Sequence, residues 1–289
     1  MRNYVFGGAF YPEKEEEASV MVAKLISEAK VEIRYLESAT AYVVPHAGYA
    51  YSGATAAHTY KAMMVNKEFD KVDTIVILGP NHTGLGEPIS VSMQDWNSPV
   101  GIARNDKELS KAIASHSGMS TDENAHQEEH SIEVQLPFLL SFASSKRFCF
   151  ICMGDQSMKM SVEIANAIET EARKLKRNII LLASSDMNHY EDENTTISKD
   201  SQVIEPLKRL NYEAFNNARM KLNQSACGYG PVTVAAAFAK DNDCDRGMLL
   251  KYDTSASSSN DRSSVVGYAA LAFVRDEAKK RELNNLFRN

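Results

Sequence analysis

The feature that most limits what this chain can fold into is a set of short, unbroken apolar runs, each closed by a polar turn. AYVVP (41–45) runs into HAGY, DTIVILGP (73–80) into NHTG, and NIILLAS (178–184) into SDMNH. A strand that is apolar without alternation is one whose sheet is covered on both faces, the usual state of a parallel sheet. The stretches between the runs have helical character. EEEASVMVAKLISEAK (15–30) carries apolar residues at helical spacing, with acids first and lysine last as the helix dipole favours. SGATAAHTYKAMM (52–64) reads as a helix with Ser52 near its N-cap.

The alternation continues to the end of the chain. EPISVS (87–92) and SPVGIA (98–103) read as a short pair of strands, and DKELSKAIASH (106–116) as a helix. HSIEVQLPFLLSFA (130–143) is a helix interrupted near Pro137, RFCFICM (147–153) a strand, and SVEIANAIETEARKLK (161–176) a long amphipathic helix. A polar segment then leads to helices at KDSQVIEPLKRL (199–210), NYEAFNNARMK (211–221) and GPVTVAAAFAK (230–240). Two strands, GMLLKYDTS (247–255) and SSVVGYAALAFV (263–274), and a charged helix close the chain. This order predicts an α/β fold, a three-layer α/β/α sandwich with a mostly parallel or mixed central sheet. No repeat or Gly/Ser/Pro linker divides it, and SASSSN (255–260) joins two strands as a loop, so one domain over residues 1–289 is expected.

Composition sets the broad class. Of 289 residues, 44% are hydrophobic and 24% charged, with a net charge of −6 and scattered basic residues. These are the proportions of a globular protein without a nucleic-acid footprint. The opening MRNYVFGGAFYPEKEEE has no long apolar stretch, and no run is long enough for a transmembrane helix, so neither secretion nor a membrane partner is expected and the cytoplasm is the expected location. There the four cysteines, Cys149, Cys152, Cys227 and Cys244, are expected as free thiols. Cys149 and Cys152 form a CxxC, but inside a strand, whereas a redox pair opens a helix; they are expected to be buried and inert.

In open α/β sheets ligands bind beyond the carboxyl ends of the strands. Three strand ends here carry chemically capable groups: His46, His82, and Asp186 with His189. Glu129 and His130 begin a helix that can point to the same edge. Cys227 lies in QSACGYGP, where Gly228 and Gly230 let the backbone bend and present the thiol. Imidazole and thiolate are ligands for iron, copper or zinc, and groups beside them can orient ligands or carry protons. His58 and His116 read as ordinary helical residues without polar company, and His126 as a solvated residue of an acidic loop.

The ordered motifs PHAGYAYSG, GPNHTG, EEHSIEVQLPFL, SSDMNHY and CGYGP resemble the Memo family, over a span from GGAFYP to VVGYAALAF. That family is similar in fold to the class III extradiol ring-cleaving dioxygenases of the protocatechuate 4,5 type. The resemblance implies an α/β/α sandwich with one deep site. It implies a metal triad of His46, His82 and Cys227, with cysteine where the dioxygenases place a carboxylate. It also gives His130 and His189 acid/base roles beside Asp186. Iron(II) or copper is the expected cofactor, with zinc possible.

Function then divides. The first expectation is a metal-dependent redox enzyme, dioxygenase-like, acting on a small molecule, with His189 oriented by Asp186 as the base and His130 as the acid. The alternative is a non-catalytic adaptor or metal-handling protein whose pocket takes a short peptide or other ligand. A metal-dependent hydrolase and a Cys227–His189 nucleophile dyad are further options.

Overall fold

A computed structural model describes residues 1–32, 36 and 38–275. In its first half, α1 (Glu15–Glu28), β1 (Ala39–Val44), α2 (Tyr49–Val65) and β2 (Thr74–Pro80) are followed by β3 (Ile89–Val91), β4 (Trp96–Ser98) and β5 (Gly101–Asn105). Next come α3 (Lys107–Ala114), β6 (Ser120–Thr121), α4 (Asn124–Gln127), α5 (His130–Glu133), α6 (Leu136–Ala143) and β7 (Arg147–Met153). The rest is α7 (Met158–Leu175), β8 (Ile179–Ser184), β9 (His189–Glu191), α8 (Glu193–Lys208), α9 (Tyr212–Leu222), α10 (Tyr229–Asp241), β10 (Arg246–Thr254), α11 (Ala256–Ser259) and β11 (Val265–Val274). The charged helix expected at the end of the chain lies outside the described residues.

The sheet is mixed. Its main path runs β10-β11-β1-β8-β2-β7-β3-β6. The centre is parallel: β1 with β8, β8 with β2, and β2 with β7. Antiparallel β11 and β10 flank it on one side and antiparallel β3 on the other. Alternate residues of a strand face opposite ways, and both faces are covered. Val76, Leu78, Leu181, Ala183 and Ile151 pack with α3, α7, α8 and α10, whereas Ile75, Ile77, Leu182, Phe148 and Phe150 pack with α1, α2 and α6. Full burial of side chains such as Ile77 contributes about 1.5–3 kcal/mol each. The expected three layers are therefore present, and double coverage explains the unbroken apolar runs.

Helix ends follow local chemistry. Asp106 caps α3 by accepting the Leu109 N–H, and Ser157 caps α7 by accepting that of Met160. Pro137 sits in the first turn of α6, so the helical run of 130–143 divides just before it, into α5 and α6. Both CxxC thiols are buried and free in β7, and burial pushes Cys149 up to about 12, which leaves it inert at neutral pH.

Several local expectations are corrected. The segments 87–92 and 98–103 do not pair with each other: β3 joins β7 and β6, and residues 98–101 turn the β4–β5 hairpin. Gly101, at φ 142°, adopts a conformation open to glycine but not to its neighbours. Ser52 lies inside α2, whose N-cap is Gly48, and its hydroxyl donates to the Ala47 carbonyl at 2.9 Å. α8 starts at Glu193, before the expected boundary, because Asp192 caps it by accepting the Thr195 N–H. No helix among the described residues is long and apolar enough to cross a membrane.

Candidate metal centre

The parallel neighbours β1, β8 and β2 all end at one edge of the sheet. His46, Asp186 and His82 each follow the last residue of one of these strands by two positions. Pairing of Val44 with Ser184 and of Leu78 with Ala183 holds the three ends level.

His46 is buried, and its ring is fixed from behind. The Ser184 hydroxyl donates its one proton to the Ser131 carbonyl at 2.7 Å and accepts from Gln135 Nε2 at 3.0 Å. Gln135 must present its NH₂ there, because the same nitrogen meets the Pro45 carbonyl at 3.1 Å and its Oε1 accepts the Tyr60 hydroxyl. Ser184 Oγ, 2.8 Å from His46 Nδ1, can then only accept. The proton of neutral His46 is thereby placed on Nδ1, and the Nε2 lone pair faces forward, 3.1 Å from Cys227 Sγ.

His82 is held in the same way by a carboxylate. Glu129, fully buried, accepts from His82 Nδ1 at 2.9 Å through Oε1 and from the His82 backbone N–H at 2.6 Å through Oε2. Its Oε1 also takes the Ser131 N–H at 2.9 Å as the cap of α5. A carboxylate cannot donate, so in the neutral ring the proton sits on Nδ1 and His82 Nε2 keeps its lone pair. The third group arrives from another layer. Cys227 precedes α10; its Sγ accepts the Asp186 N–H at 3.3 Å, and its carbonyl accepts Gln156 Nε2 at 2.9 Å. Gly228 permits this approach by lacking a side chain, since a Cβ there would lie 2.3 Å from the Ser184 carbonyl oxygen. Its φ of −106° is ordinary, so the expected role of the glycine in bending the backbone is replaced by one of clearance.

One donor atom from each of His46, His82 and Cys227 lies within 4.8 Å of the others, and His82, Glu129 and His130 form a second such group. His130 stacks on His82 with ring centres 4.7 Å apart and meets His46 edge-on at 5.3 Å. The N-terminal segment closes over it: Phe10 and Phe6 lie 4.8 and 5.6 Å from the His130 ring. Buried Glu133 secures that segment, accepting from Arg2 at 2.6 Å, from the Phe6 N–H at 2.7 Å and from Tyr11 at 2.7 Å.

Burial dominates the electrostatics. It holds His46 well below the usual histidine range and lowers His130 to about 4. His189 is lowered too, first by burial. Burial pushes Asp186 up to about 7, against the backbone N–H groups of His46 and Ala47 that stabilise its anion. Burial raises Glu129 as well, but its bonds to His82 and Ser131 prevail and hold it at about 2. Burial first, then Asp186, pushes the Cys227 thiol up. His46, His130 and His189 are thus held towards their neutral forms beside a carboxyl group that ionises near neutrality.

Two expected pairings are absent. Asp186 does not orient His189: its Oδ1 takes the His46 N–H at 2.7 Å, while His189 bonds Ser225 through its N–H at 2.8 Å and through Nδ1 at 3.0 Å. The chain between them is drawn away onto β11, where Met187 N–H meets the Gly267 carbonyl at 2.8 Å. Cys227 likewise has His46, rather than His189, as its imidazole contact. His126 is not solvated but fully buried, with Nε2 3.1 Å from the Ser90 carbonyl and its ring against Trp96. His116 has polar company in Glu171 at 2.9 Å, and His58 in the Ala54 carbonyl at 2.8 Å. The orienting roles of Glu129 and Ser184 were missed; the acid next to His130 at a helix start was the one available sign of the first.

The profile of the Memo-like proteins matches residues 2–272. This chain belongs to the Memo family. A MEMO1 family protein of Methanosarcina barkeri is 36% identical over 272 residues, spanning 94% of this chain and 99% of the relative. One from Methanopyrus kandleri is 42% identical over 237 residues, 81% of this chain and 82% of the relative. One from Archaeoglobus fulgidus is 37% identical over 273 residues, with coverage of 94% and 99%. Among solved structures, an uncharacterized protein of Escherichia coli K12 matches with a TM-score of 0.53 at 13% identity, covering 81% of this chain and 99% of its own, which is a likeness of fold. For this Memo-family chain, the motifs PHAGY, GPNH and CGYGP are thus the turns that bring two imidazoles and a thiol to one edge of the sheet.

Proposed function

We propose that His46, His82 and Cys227 hold one transition-metal ion, iron(II) or copper in preference to zinc, and that the protein uses it in redox chemistry on a small molecule. The observation that carries this reading is that three donor atoms gather within 4.8 Å while the second nitrogen of each imidazole is already engaged. Metal–nitrogen bonds of about 2.0–2.1 Å and metal–sulfur bonds of about 2.3 Å suit donors this close. The donor set also fits in kind, since thiolate with imidazole selects copper, zinc or iron over hard cations. When bound, such an ion supplies Lewis acidity and an open position beside the three protein ligands.

The other residues shape what happens around it. Asp186, ionising at about 7, can take or release a proton at neutral pH. His189 Nδ1 faces the Ser225 carbonyl, so in the neutral ring it carries the proton and Nε2 is left as an acceptor. Neutral His130, between His82 and the phenyl rings of Phe6 and Phe10, limits water on its side of the pocket. The test is anaerobic purification with elemental analysis and a screen of oxygen uptake with catechols and other small molecules. About one iron or copper per chain is expected. Failure to retain any transition metal, even after anaerobic loading, refutes the reading.

A further inference from the structure

Asp200 of α8 lies outside the donor cluster and has no exposed surface. Its Oδ1 accepts the Asn188 backbone N–H at 3.1 Å and Gln224 Nε2 at 2.9 Å, and its Oδ2 accepts the Tyr252 hydroxyl at 2.7 Å. The space it fills is kept by Gly267, where a Cβ would fall 1.9 Å from Oδ2. All three donors are neutral. A buried carboxylate is costly to keep in such surroundings, so its contribution is to be sought in what the donors hold.

Both donors to Oδ1 belong to loops that carry site residues. Asn188 stands between Asp186 and His189, and Gln224 three positions before Cys227. From these two residues the bonds run on into the site. Gln224 Oε1 accepts the Ala226 N–H at 3.0 Å, and Asn188 Oδ1 accepts the Ser225 N–H at 3.1 Å. Ser225 in turn accepts the His189 N–H at 2.8 Å and faces His189 Nδ1 at 3.0 Å. One carboxylate oxygen therefore fixes the separation of the loop bearing His189 and the loop bearing Cys227.

We infer that Asp200 is a positioning residue that clamps these two loops together and so sets where the Cys227 thiol meets the imidazoles. This rests on the metal-binding reading above. In Asp200→Asn, the amide oxygen can take both Oδ1 donors while its NH₂ donates to the Tyr252 oxygen; Asp200→Leu offers nothing to either loop.

The test loads the full chain with cobalt(II) under anaerobic conditions. The wild type should show a thiolate-to-cobalt charge-transfer band. Asp200→Leu should lose or shift that band and bind cobalt about tenfold or more weakly, with Asp200→Asn restoring both. A folded Asp200→Leu variant that keeps the band and the affinity overturns the inference, as does an Asp200→Asn variant equally impaired. Should Asp200→Leu not fold, Gln224→Met cuts only the branch towards Cys227 and is held to the same outcomes. If the wild type binds no cobalt, the band offers no readout and hydrogen exchange decides the clamp. Asp200→Leu should then speed exchange in 186–191 and 224–228 together, or Gln224→Met in its place in 224–228, and an unchanged rate in any segment so named overturns it.

Discussion

Glu129 grips His82 twice, taking the ring proton at 2.9 Å and the backbone N–H at 2.6 Å. Both bonds end on one buried carboxylate that also caps α5, so the position of this imidazole depends on a neighbouring helix as much as on its own strand. A carboxylate behind a histidine orients the ring and makes its free nitrogen a better donor.

Glu129→Ala is therefore expected to weaken metal binding about 10–100-fold without removing a ligand. Anaerobic titration with cobalt(II) or copper reads the change. The pair has an acid limb as well. Glu129 sits at about 2 in the fold, below the ordinary 4.5 for glutamate, so the stability it contributes is present above 4.5 and lost as pH falls towards 2. The variant should lose less stability than the wild type over that window. An unchanged metal affinity would show that the grip is structural only.

Cys227→Ser keeps the shape of the side chain but replaces a soft donor by a hydroxyl. Any thiolate charge-transfer absorption should vanish, and affinity for copper(I) should fall by at least about tenfold. Retention of the band would assign it to Cys149, Cys152 or Cys244, all of which lie buried elsewhere.

Gly228→Ala tests the placement of the thiol without touching a donor. The new methyl group would start 2.3 Å from the Ser184 carbonyl oxygen and 2.7 Å from Ser185 Cβ, so the start of α10 must move and carry Cys227 with it. A core clash of this kind costs about 1–3 kcal/mol. Denaturant midpoints should fall accordingly, and metal affinity should fall in parallel with them. A variant of wild-type stability and affinity would show that the loop has slack.

The layers and the strand ends were legible because unbroken apolar runs require double coverage, and Val76 with Leu78 facing one helical layer while Ile75 with Ile77 faces the other is that requirement met. His46, His82 and Asp186 were legible for the same reason: each is two residues past a strand whose direction the alternation of elements implied. What sequence periodicity does not encode is which polar side chain turns towards which. Asp186 is expected to orient His189, yet its carboxylate takes the backbone N–H of His46 across the parallel pairing of β1 with β8. His126 looked solvated because its neighbours in sequence are polar. Its burial comes from Trp96 and from strand β3, neither of which is local to it.

That buried histidine sets a pH limit separate from the site. His126 Nε2 faces the Ser90 carbonyl, which places the proton there and leaves Nδ1 buried without a partner. Burial, with the Arg2 charge adding to it, lowers the group to about 4 from the ordinary 6.5. Between those two values the unfolded chain binds more protons than the fold does, so stability is complete above 6.5 and is lost as pH falls towards 4. Going from pH 7 to pH 5 should cost the wild type about 2 kcal/mol through this residue alone. His126→Gln, though less stable at every pH through its lost contact with Trp96, should show a correspondingly smaller difference between the two pH values in urea unfolding. Equal differences in the two proteins would mean that the ring reaches water in the fold and charges there as it does in the unfolded chain, and the acid sensitivity would then have to come from His46 and His130.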